Sequence, residues 1–122
     1  MKKKILIIED EISLRNALSE KLTSEGFDVL QAKNGEEGLE SALIKKPDLI
    51  LLDVIMPKMD GITMLGKLRE NSWGKHVPVI ILTNLSSGSD ILKSVEKKVF
   101  SYLIKSDWKL EDIIKKIEKA LA

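Results

Sequence analysis

The sequence predicts an α/β domain built on a doubly wound, five-stranded parallel sheet flanked by five helices. Three observations carry that expectation. Short aliphatic runs such as Leu49-Ile50-Leu51-Leu52 are continuous rather than alternating, as in strands covered on both faces. Longer stretches between them carry apolar residues at helical spacing. The two patterns alternate strictly through five βα units, which calls for parallel strands joined by right-handed crossovers. A closed barrel would need eight units and about twice the 122 residues present.

Ile5-Leu6-Ile7-Ile8 reads as the first strand. From Ile12 to Glu25, Leu14, Ala17, Leu18 and Leu22 recur at helical spacing, and Gly26 supplies the stop. Phe27 to Ala32 reads as the second strand. Asn34, with Glu37 three places on, has the form of a capping box, and Leu39, Ala42 and Leu43 give the second helix its apolar face before Pro47. Leu49 to Leu52 is the third strand. Asp60 is placed to cap a third helix carrying Ile62, Leu65 and Leu68. Val77 to Leu82 reads as the fourth strand, with Pro78 tolerable only near its start. Ser86-Ser87 opens a fourth helix with Ile91, Leu92 and Val95. Tyr102-Leu103-Ile104 is the fifth strand, and Ile113, Ile114, Ile117 and Leu121 form the stripe of the last helix. The whole chain, residues 1–122, is expected to be one domain, with no linker or repeat.

Composition narrows the function. Lys plus Arg number 20 against 19 Asp plus Glu, so net charge gives no reason to expect contact with nucleic acid or an anionic membrane. Cysteine is absent, which removes disulfides, thiolate metal sites and a cysteine nucleophile. The apolar run after Lys2-Lys3-Lys4 is four residues long before Glu9, too short for a secretory signal. A cytoplasmic location is expected.

In a doubly wound sheet, ligands sit at the carboxyl ends of the strands. There the sequence places Glu9-Asp10, Asp53, Thr83 and Lys105, after strands one, three, four and five. A single polar residue after a buried strand needs no explanation beyond the chain leaving the core. Three carboxylates on one rim do, because they repel one another and call for a cation. Oxygen donors without His or Cys suit Mg²⁺.

"IIEDE", "LLDVIMPKMDG", "ILTN" and "YLIKS" together resemble the receiver domain of bacterial two-component response regulators, and the resemblance spans essentially the whole chain. It implies the flavodoxin-like receiver fold with strand order 2-1-3-4-5. It also implies that Asp53 accepts a phosphoryl group from a histidine kinase or phosphotransfer protein. Asp10 would ligate Mg²⁺ directly, Glu9 through water or as a second ligand, and the main-chain carbonyl of Ile55 would join Asp53 in the set. Thr83 would bond the phosphoryl oxygens and Lys105 would pair with them. Thr83 and the switch aromatic Tyr102 would pass the change to the face formed by the fourth helix, fifth strand and fifth helix. With the chain ending at the receiver, a separate output protein is expected there, unless the chain is a fragment of a longer regulator.

Two rivals remain. A Mg²⁺-dependent phosphatase with an aspartate nucleophile typically carries a second acid two residues on, where this chain has Ile55. A flavodoxin-like cofactor binder would set a flavin phosphate against an acidic rim. His76, the single histidine, falls in a polar loop rather than on a helix face suited to phosphorelay. Phe100 and Trp108 read as packing residues, with partner contact as the alternative, since they fall where many receivers present their output surface. Gly35 and Gly38 lack the spacing of a phosphate loop. Three positions depart from the family pattern: Ser106 replaces the usual proline after Lys105, Lys98 a common glycine, and Asn84 a small residue.

The lifetime of the phosphorylated form follows from two side chains. Hydrolysis of an aspartyl phosphate needs an aligned water, which polar flanking residues can hold. The resemblance implies that these flanking positions lie two residues beyond the acceptor and two beyond the threonine, here Ile55 and Leu85, both aliphatic. Phosphoryl loss, followed after removal of acetyl phosphate with Mg²⁺ present, should therefore be slow and should speed up in an Ile55→Asn, Leu85→Glu double variant. Equal decay rates would remove these side chains as the determinant.

Overall fold

A computed structural model describes residues 2–53, 60–83, 99–104 and 109–122. The strands are β1 (Lys4–Ile8), β2 (Asp28–Ala32), β3 (Leu49–Asp53), β4 (Val79–Thr83) and β5 (Ser101–Ile104). They form one sheet in the order β2-β1-β3-β4-β5, every neighbouring pair parallel. The expected order is borne out. Among the described residues the helices are α1 (Ile12–Ser24), α2 (Gly35–Lys45), α3 (Gly61–Glu70) and a C-terminal helix (Leu110–Leu121). The helix expected from Ser86-Ser87 lies outside the described residues.

The continuous aliphatic runs are buried on both faces of the sheet. Leu6, Ile8, Ile50, Leu52, Val79 and Ile81 point to one side, where they meet Ala42 of α2 and Met64, Leu65 and Leu68 of α3. Ile5, Ile7, Leu49, Leu51, Ile80 and Leu82 point to the other, against Leu18 and Leu22 of α1 and Ile113, Ile114 and Ile117 of the C-terminal helix. The alternation along each strand thus feeds two separate cores, one beneath each pair of helices.

Local chemistry sets the helix ends. The Asn34 side chain accepts the Glu37 N–H at 2.8 Å, and the Asp60 side chain accepts the Thr63 N–H at 2.8 Å, so both expected caps are present. Asp112 reaches back to accept the Lys109 N–H at 2.9 Å at the start of the last helix. After α1 the chain turns at Gly26 (φ 94°), a backbone state open to glycine at little cost, and the Phe27 N–H returns to the Leu22 carbonyl. α2 ends at Lys45, and its cap residue Lys46, one step before Pro47, takes the left-handed conformation (φ 48°) without being glycine.

Boundaries differ from the sequence expectation by a residue or two. The fourth strand begins at Val79 rather than Val77, because Pro78 has no N–H to give the ladder; it contributes only its carbonyl, to the Ile50 N–H at 3.0 Å. The third and fourth strands each run one residue further than expected, through Asp53 and Thr83. The second loses Phe27, which belongs to the turn after α1.

One close approach fixes how α2 lies on β1. Gly38 is buried, and a Cβ there would stand 2.5 Å from Cδ1 and 2.8 Å from Cγ1 of Ile8. Replacing a mid-helix glycine by alanine gains about 1 kcal/mol of helix propensity, whereas overpacking costs about 1–3 kcal/mol. Gly38→Ala should therefore lower stability, seen as a reduced urea midpoint with unchanged slope. A raised midpoint would show that α2 can move away from Ile8 freely.

Candidate cation site at the sheet switch point

The crossover from β1 goes one way to β2, and the chain then returns to place β3 on the other side of β1. This makes the β1/β3 boundary the switch point, the place where open α/β sheets bind ligands at the carboxyl ends of their strands. Glu9 and Asp10 follow the last residue of β1. Asp53 closes β3 and lies in register with Leu82 of β4. One carboxylate oxygen from each of Glu9, Asp10 and Asp53 lies within 4.8 Å of the other two. Glu9 and Asp53 are buried, at 0% and 3% exposure, while Asp10 is exposed.

Glu9 is held from several sides. Its N–H donates to the Ala32 carbonyl at the end of β2, at 3.0 Å. Its Oε2 accepts the Glu11 N–H at 3.0 Å, which curls the carboxylate back over the start of α1. Its carbonyl accepts Nη1 of Arg15 at 2.8 Å. The Arg15 guanidinium is anchored in turn, since its Nε donates to Oε1 of Gln31 at 3.2 Å and Nε2 of Gln31 donates to Oγ of Ser19 at 3.0 Å.

Arg15 is not among the site residues expected from the sequence. Its signal is faint: a basic residue one helical turn after Glu11, on the helix that leaves the acidic turn. Of the other expected site residues, Thr83 closes β4 in register with Ile104, and Tyr102 lies in β5 opposite Ile81. Lys105 and Ile55 lie outside the described residues, as do Asn84, Leu85, Lys98, Ser106 and Trp108. His76 lies in the loop before β4, at the far end of the sheet from the acids.

The donor set suits a hard divalent cation. All three side chains offer oxygen, two are buried and preset, and the third faces solvent, which leaves room for the waters that Mg²⁺ retains. Among the described residues no helix is long and apolar enough to cross a membrane.

Fold and site define a doubly wound α/β domain with an acidic cluster at its switch point, and comparison with known proteins gives the family. Residues 5–118 match the family model described as the response regulator receiver domain. The chain belongs to that family: it is a receiver domain of a two-component response regulator. A probable transcriptional regulator, ycf27, of Porphyridium aerugineum is 36% identical over 125 residues, which cover 98% of this chain and 51% of that protein. The alkaline phosphatase synthesis regulator PhoP of Bacillus subtilis is 39% identical, over 86% of this chain and 43% of its own length. The chain thus spans about half, or less, of the curated relatives it matches. Among solved structures, the response regulator TrrA of Thermotoga maritima, in complex with Mg²⁺ and a beryllium fluoride, superposes with a TM-score of 0.86 at 32% identity. That match covers 99% of this chain and 100% of that one.

Clustered charge has a measurable consequence. Two like charges about 4 Å apart repel by a few kcal/mol at the effective dielectric near a protein surface, roughly 4 kcal/mol at ε ~20. Asp53→Asn removes one anion from the cluster. In EDTA this variant should unfold at a higher temperature than wild type, and added Mg²⁺ should raise its midpoint less than that of wild type. A lower midpoint in EDTA would mean that bonds made by the Asp53 carboxylate outweigh the repulsion.

Proposed function

We propose that this receiver takes a phosphoryl group onto Asp53 from a histidine kinase or phosphotransfer protein, with Mg²⁺ as the required cation. The observation that carries the reading is the meeting of Glu9, Asp10 and Asp53 within 4.8 Å, with Asp53 buried at the very end of β3. Asp10 and Asp53 would hold the ion directly, joined by the Ile55 carbonyl, with Glu9 as a further ligand or acting through water. When bound, Mg²⁺ neutralises carboxylate charge and stabilises the oxygens of the transferring group.

The chain's own residues do the rest. An oxygen of the Asp53 carboxylate attacks phosphorus, the bond from phosphorus to the donor's imidazole nitrogen breaks, and the electron pair leaves with that nitrogen. Burial of Asp53 in the sheet fixes its direction of approach, so the reaction depends on positioning rather than on a mobile nucleophile. Thr83 and Lys105 are assigned to the new phosphoryl oxygens, and Thr83 with Tyr102 to the switch. The chain catalyses only its own phosphorylation and dephosphorylation. It reports through the face that includes β5 and the C-terminal helix, to a separate output protein or to the output part of a longer regulator, and it works in the cytoplasm.

Treatment with acetyl phosphate and Mg²⁺ should add one phosphoryl group by intact mass, and EDTA should prevent it. Asp53→Asn should abolish the gain while its circular dichroism matches wild type. An undiminished adduct in Asp53→Asn would overturn the assignment.

A further inference from the structure

We infer that Arg15 is a positioning residue for the cation site, acting through the peptide plane that joins Glu9 to Asp10. The inference rests on the Mg²⁺ reading above and adds a determinant of which cation the site prefers.

The peptide bond is planar, so the Glu9 carbonyl and the Asp10 N–H rotate as one body about two soft dihedrals. Whatever holds that carbonyl sets the direction in which the Asp10 side chain leaves the turn. Nη1 of Arg15 holds it at 2.8 Å. The strand ladder has already ended at this point: the Glu9 N–H is the last to reach β2, through the Ala32 carbonyl. Asp10 is exposed and so is not set by packing, unlike Glu9 and Asp53. Arg15 therefore orients the one acid of the three that the core does not.

The guanidinium can do this because it is clamped at its other end. Nε donates to Gln31 on β2, and Gln31 donates to Ser19, one turn beyond Arg15 on α1. Arginine's donors form a rigid fork, so fixing Nε at Gln31 also fixes the direction of Nη1. The result is a brace from β2 through α1 to the acidic turn.

Charge and geometry predict opposite signs, which makes the role testable. A fixed positive charge beside the acids opposes a second cation, so by field alone its removal would tighten Mg²⁺ binding. As an orienting group, its loss would weaken binding. It would also do so selectively, because Mg²⁺ demands near-ideal octahedral geometry whereas Ca²⁺ accepts irregular sites.

The experiment is calorimetric titration of the purified full chain with Mg²⁺ and with Ca²⁺, for wild type, Arg15→Gln and Arg15→Lys. Arg15→Gln is expected to weaken Mg²⁺ binding about 10-fold or more, the size typical for groups that orient metal ligands, and Ca²⁺ binding by less. Arg15→Lys, with a donor still able to approach the Glu9 carbonyl, should recover part of the loss. Unchanged or tighter Mg²⁺ binding in Arg15→Gln would overturn the inference, as would equal losses for both ions. Should Arg15→Gln fail to fold, Gln31→Ala decides: it keeps the charge but frees Nε, and must lower the Mg²⁺-to-Ca²⁺ preference, an unchanged preference overturning the brace. Wild type that binds neither ion would overturn the metal reading itself, a result distinct from any failure confined to the variants.

Discussion

Mutual repulsion among Glu9, Asp10 and Asp53 is the constraint around which this domain is arranged. Three carboxylates held this close, two of them out of water, oppose folding, and the rest of the structure supplies the force that keeps them there. That force is the burial of β1 and β3, whose aliphatic side chains are fully covered on both faces. Glu9 and Asp10 sit one and two residues beyond β1, and Asp53 closes β3, so all three acids are carried by strands with fully buried aliphatic side chains. A less rigid platform would let them drift apart and relax, and with that relaxation would go any affinity for a divalent cation.

The helices serve the same end from outside. α2 lies so close to β1 that Gly38 leaves no room for a methyl group against Ile8, the residue immediately before Glu9. α1 bears on the site directly, since Glu11 at its N-cap provides the N–H that holds the Glu9 carboxylate and Arg15 the guanidinium that holds the Glu9 carbonyl. The site is therefore built mainly from backbone direction. Side-chain identity matters at the three acids, and hydrogen bonds to and from the main chain hold Glu9 in place.

Most of the fold was legible in the residues, for identifiable reasons. Doubly covered strands leave unbroken aliphatic runs, and Asn34 and Asp60 are cap residues whose hydrogen bonds span a fixed three-residue interval. The acids at positions 9, 10 and 53 could be brought together on paper because the topology of alternating strands and helices has few solutions. Strand limits were less legible, since Val77 is as aliphatic as Val79 and only the missing N–H of Pro78 separates them. Arg15 was barely legible. Its partner is a main-chain carbonyl, and a carbonyl leaves no mark on the identity of the residue that bears it.

Among the described residues, the sheet also divides the interior into two compartments that share no side chains. Ile7 and Leu51 belong to one, Ile8 and Leu52 to the other. Amino-acid changes on α1 and the C-terminal helix can be absorbed by repacking one compartment, leaving the α2 and α3 side undisturbed. A lineage of such domains can therefore reshape one surface for a new partner while the opposite half stays under its old selection. The common ground that must not change is the backbone of β1 and β3, which carries the acids.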